Sequence, residues 1–184
     1  MLLSHKHRFV YVRIPRTASS SMVEALTRGV ADIEQIYLLP TPISALRGYD
    51  DYQVFAFIRD PWRRALSLYA YFVRRRRLPT PEGFLEFLAN PPEDAQWIVG
   101  RQLMDQQVDY ISGNRHVEIG RFERLEDDFR AICARLGLGD LELRHRNSAA
   151  QLSMKEYYND TALALVSQLF PTDIATLGYP EPAI

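Results

Sequence analysis

The chain has 184 residues, 47% of them hydrophobic, and a formal charge of -1 at neutral pH, which suits one soluble globular domain with a single core. Near-neutral charge argues against a general nucleic-acid or membrane-surface binder. No apolar run approaches the ~20 residues of a transmembrane span, and "MLLSHKHRF" breaks any leader-like stretch with charge. Cys133 is the only cysteine, so no intrachain disulfide and no CxxC metal knuckle is expected, and a reducing cytoplasm is the expected location.

Residues 8–14, "RFVYVRI", alternate and are rich in β-branched and aromatic side chains, the pattern of a strand. The run stops at Pro15, and a helix is predicted from Ser20 to Arg28, with Met22, Ala25 and Leu26 spaced for one apolar face. "QVFAFIR", 53–59, is a nearly continuous apolar strand of the kind buried in a parallel sheet. "DPWRRALSLYAYFVRRRR" reads as a helix with Asp60 as N-cap and Pro61 at its first position. "PEGFLEFLA" predicts a short helix and "AQWIVGRQLMDQQVDYI" a longer helical region. A third strand is expected at 116–122, "HVEIGRF", followed by a helix in "LEDDFRAICARLGL" that ends near Gly137. A last helix, 159–170, starts near Asn159 or Asp160 and stops before Pro171. Strands alternating with helices imply an α/β sandwich, a central and largely parallel sheet flanked by helices, in one domain over 1–184.

The segment "PRTASSS", 15–21, turns from strand into helix. Free backbone N–H groups and the positive end of the helix dipole meet there, a place for an oxyanion of phosphate type. Arg16 adds fixed charge, and Thr17, Ser19, Ser20 and Ser21 add hydroxyls. The segment has neither glycine nor lysine and does not match GxxxxGK[ST], which disfavours an ordinary nucleotide hydrolase; a serine-rich helix cap is the bland alternative. Arg59 ends the second strand, where ligands of open α/β sheets gather. Ser67 lies two helical turns on, able to join Arg59 on a second anionic group. The plain alternative has Arg59 bridging Asp60 or a surface carboxylate, with Ser67 an exposed helix residue.

"RIPRTASSSM" followed by "FIRDPWRRALSLYAYF" resembles the membrane-associated carbohydrate sulfotransferases. The first stretch is similar to their 5′-phosphosulfate loop, closest to the heparan sulfate 2-O-sulfotransferase form. The second resembles their 3′-phosphate element. The resemblance continues through "QQVDYI" (106–111), "IGRFERLEDDF" (119–129), "RHRNSA" (144–149) and "TLGY" (176–179). It implies a P-loop-like fold and transfer of a sulfuryl group from PAPS to an acceptor hydroxyl or amine, on a carbohydrate or small metabolite. It also implies 3′,5′-ADP as product and no metal. Under that resemblance Arg16, Thr17, Ala18, Ser19, Ser20 and Ser21 hold the 5′-phosphate, Arg59 and Ser67 hold the 3′-phosphate, and Arg146 and Asn147 lie in a segment expected near the nucleotide.

Two positions depart from the pattern. The family's loop lysine is Arg16 here, and only Lys6 and Lys155 are lysines among the 22 basic residues. Its frequent histidine base would fall near Pro40, in a stretch with no histidine. The base is therefore open between Glu24, His145 and the carboxylates Asp50 and Asp51, while His5, His7 and His116 read as surface or packing residues. "RRRR", 74–77, reads as a solvated helix end or a basic rim. The rival readings are an inactive relative that binds PAP or PAPS as a partner or sensor module, a nucleotide kinase or hydrolase, and a scaffold. The acceptor and oligomeric state are open.

Overall fold

In the computed structural model, which describes residues 1–73, 78–91, 104–144 and 152–183, the first half runs β1 (Leu2–Ser4), β2 (Phe9–Val12), α1 (Ser19–Gly29), β3 (Ile33–Gln35), β4 (Gln53–Ile58) and α2 (Pro61–Val73). Then come α3 (Pro81–Ala89), α4 (Gln107–Ile111), β5 (Val117–Arg121), a 3-10 turn (Phe122–Arg124), α5 (Leu125–Arg135), α6 (Met154–Tyr157), α7 (Asp160–Leu169) and α8 (Pro171–Thr176). The chain divides into two compact units, Met1–Arg59 with Asp109–Asn147, and Asp60–Val108 with Ser148–Ile184.

The first unit holds a five-stranded sheet in the order β3-β1-β2-β4-β5. Its centre is parallel, β2 with β4 and β4 with β5, whereas β1 runs antiparallel to both β2 and β3. Side chains alternate across the pleat. Phe9, Tyr11, Phe55 and Phe57 pack on Met22, Ala25 and Leu26 of α1 and on Phe129, Ile132 and Cys133 of α5. Val10, Val12, Val54, Ala56 and Ile58 on the other face are buried as well. This two-sided burial explains the near-continuous apolar run of β4. Gly120 pairs with Phe57, and a β-carbon there would come 2.4 Å from the Phe57 ring, so only glycine lets that ring lie across the edge strand.

The second unit is helical among its described residues. Trp62, Tyr69 and Val73 of α2, Phe84 and Leu88 of α3, and Ala162 and Val166 of α7 share a core with Tyr157, Tyr158 and Phe170. Asp60 caps α2 as expected, its Oδ1 accepting from the Arg63 N–H at 2.9 Å. Arg64 and Asp173 are both fully buried and pair at 3.7 Å. Asp173 also accepts from the Val108 N–H at 3.0 Å and from Gln107 Nε2 at 3.1 Å, and Arg64 Nη2 donates to the Asp105 carbonyl at 2.9 Å. Inside an apolar core such a pair persists only when its remaining donors and acceptors are satisfied.

Several boundaries shift. Helix α1 starts one residue earlier than expected, and α5 ends as expected, with Gly137 at φ 65°. Strands β1 and β3 and helices α6 and α8 were not expected. Pro171 does end α7, but it also opens α8, because proline's fixed φ suits the first helical position. The helical reading of 95–111 is met in α4 alone, since 92–103 lie outside the described residues, as does "RRRR".

Candidate functional site

Parallel pairing puts the carboxyl ends of β2, β4 and β5 on one edge of the sheet, with Val12 opposite Ala56 and Ile58 opposite Arg121. The segments leaving these three strands therefore meet at that edge. They are the loop Arg13–Ala18 after β2, Arg59 after β4 and Phe122 after β5.

The loop makes its turns without glycine. Arg16 at φ 68° and Ala18 at φ 66° both occupy the left-handed region, which costs a non-glycine residue roughly 1–2 kcal/mol. Something nearby must hold them there. One restraint is Thr17, fully buried, whose hydroxyl donates to the Ile14 carbonyl at 3.0 Å. The Thr17 hydroxyl is thus turned into the loop. Ala18 is the N-cap of the 11-residue α1 and offers no side-chain cap. Ser19 is half-buried, Ser20 exposed and Ser21 buried at the first turn.

The second restraint is Arg59. Its Nη1 donates to the Arg16 carbonyl at 3.3 Å, and its guanidinium carbon lies 4.0 Å from the centroid of the Phe122 ring. Arg13 Nη1 donates to the Leu38 carbonyl at 3.3 Å. Two residues before Arg13, burial raises the Tyr11 phenol well above its ordinary range, more than the Arg13 charge lowers it. That hydroxyl stays protonated and is no base.

The base candidates separate by strand polarity. His7 precedes β2, His116 precedes β5, and Asp50 and Asp51 precede β4, all at the amino ends, away from the loop. Asp50 pairs with Arg115 at 2.5 Å and Asp51 with Arg8. His5 Nδ1 sits 2.8 Å from the Tyr52 hydroxyl and Nε2 3.5 Å from Glu34. Glu24 lies on α1, its side chain 17% exposed and 3.9 Å from Arg28 Nη1. Ser67 is half-buried on α2 in the second unit. His145, Arg146 and Asn147 lie outside the described residues. Among the described residues, no cluster of three His, Cys, Asp or Glu is placed to hold a metal, and no helix is long and apolar enough to cross a membrane.

The family model described as "Sulfotransferase family" matches residues 1–179. The chain belongs to the sulfotransferase family. The chain is 29% identical over 104 residues to an uncharacterized protein of Archaeoglobus fulgidus, covering 55% of this chain and 82% of that one. No solved structure matches it. Two residues at the loop edge, Arg13 and Phe122, are not singled out by the sequence. Arg13 is the first residue of the loop, hidden because the expected strand 8–14 included it. Phe122 carried no signal beyond ending a strand, because its contact to Arg59 joins residues 63 positions apart.

Proposed function

We propose that this sulfotransferase moves a sulfuryl group from PAPS to an acceptor hydroxyl or amine on a carbohydrate or small metabolite, in the cytoplasm. The observation that carries the proposal is the Arg59 hydrogen bond to the Arg16 carbonyl. It joins a cation at the end of β4 to a loop that opens a helix N-terminus lacking a side-chain cap. Two cationic residues and one helix dipole end at a single sheet edge suit a nucleotide that carries anionic groups at both its 3′ and 5′ positions.

PAPS, when bound, supplies a sulfuryl group on a 5′-phosphate that can leave. Backbone N–H groups from Thr17 onward and the hydroxyls of Ser19, Ser20 and Ser21 would hold that phosphate. Arg16 would stabilise the charge that builds on the bridging oxygen, a role that needs position and charge rather than covalent help. Arginine performs it without donating a proton. Arg59 takes the 3′-phosphate. The acceptor's proton goes to Glu24 or His145.

The test is calorimetric titration with 3′,5′-ADP against 5′-ADP. At least tenfold tighter binding of the first is expected, and Arg59→Ala should erase the difference. Equal affinities would overturn the proposal. Binding with no transfer from labelled PAPS across an acceptor panel would instead favour an inactive PAP-binding relative that acts as a partner or sensor.

A further inference from the structure

A guanidinium offers its face for stacking and its edge for hydrogen bonds. The Arg59 guanidinium carbon lies over the Phe122 ring, 4.0 Å from its centroid, and Nη1 donates to the Arg16 carbonyl at 3.3 Å. These two contacts restrain the guanidinium at the loop edge. The ring that does this is itself anchored. Phe122 opens the 3-10 turn Phe122–Arg124, between two pinned neighbours. The Arg121 N–H donates to Asp128 Oδ2 at 2.8 Å, and Leu125 is buried in the core under the sheet. Phe122 is only half-buried, so its ring is not needed to fill the core.

We propose that Phe122 is a positioning residue for recognition of a nucleotide 3′-phosphate, acting through Arg59. The inference rests on the PAPS reading above and deepens it. Arginine carries many rotamers, and a ligand that must first collect them into one loses affinity. The ring performs that ordering before the nucleotide arrives. Because the same guanidinium braces the loop at Arg16, the ring sets the 3′-phosphate site without itself touching the nucleotide.

The experiment compares the affinity ratio of 5′-ADP to 3′,5′-ADP in wild type, Phe122→Leu, Phe122→Tyr, Arg59→Ala and the Arg59→Ala/Phe122→Leu double variant. Phe122→Leu should lower the preference for 3′,5′-ADP roughly 5- to 10-fold, the scale of a partly desolvated cation–π contact, with 3′,5′-ADP affinity falling further than 5′-ADP affinity. Phe122→Tyr, which keeps the ring, should retain the preference. In the Arg59→Ala background, Phe122→Leu should change nothing further. Should leucine unsettle the turn, Phe122→Met asks the same question. A wild-type preference that survives Phe122→Leu, or a variant that weakens both nucleotides equally, overturns the role of Phe122 and leaves the PAPS reading standing. A wild type with no preference overturns that reading first.

Discussion

Substituting Ala18 by glycine should make the protein more stable, although alanine-to-glycine changes in helices ordinarily do the opposite. Ala18 sits at φ 66°, ψ 18° as the N-cap of α1. Leaving an L-residue there costs roughly 1–2 kcal/mol, which glycine does not incur. Against this stands the greater freedom of glycine in the unfolded chain, roughly 0.5–1 kcal/mol. Glycine is also a better N-cap than alanine. The net expectation is a gain of about 0.5–1 kcal/mol, or roughly 1–4 °C in Tm for a chain of this size. Urea unfolding at constant m measures it. Ala25→Gly, in the buried interior of the same helix, is the control and should cost about 1 kcal/mol. If both variants lose stability alike, the left-handed loop at Ala18 is refuted.

Asp173→Ala should destabilise the protein by about 3–5 kcal/mol, since it strands a buried Arg64 charge and two donors; the Arg64→Met/Asp173→Leu double variant should recover much of that loss in the same urea assay. Burial, helped by the Asp140 charge, pushes the Cys133 thiol from 9.0 up to about 11. Its contribution to stability is full below pH 9 and is lost as pH rises toward about 11, because the unfolded thiol ionises first. The stability gap between wild type and Cys133→Ala should therefore narrow across that window, and a constant gap would contradict the assignment.

The elements legible in the sequence were those whose signals are local. The alternation in "RFVYVRI", the Asp60–Pro61 start of α2 and the Gly137 end of α5 each state their geometry within a few residues. Strands β1 and β3 were not legible, because at three residues each they are defined by pairing partners rather than by pattern. Arg16 and Arg59 could be placed at the candidate site because each comes just after a strand, and parallel strands deliver their outgoing segments to one edge. The inward turn of the Thr17 hydroxyl was hidden, since it depends on left-handed backbone at Arg16 and Ala18 that no residue type there announces. Phe122 was hidden for the opposite reason, its partner being distant in sequence and its own type unremarkable.

The loop without glycine also constrains the order in which substitutions can accumulate. With alanine at 18 and arginine at 16, the left-handed turns depend on Thr17 bonding Ile14 and on Arg59 bonding Arg16. Loss of either restraint in this background exposes the backbone cost at once. A glycine at 18 removes part of that cost in advance, so changes at Thr17 become tolerable after it and not before. Position 18 thus gates the mutational paths open to its neighbours, while its own side chain is a single methyl group.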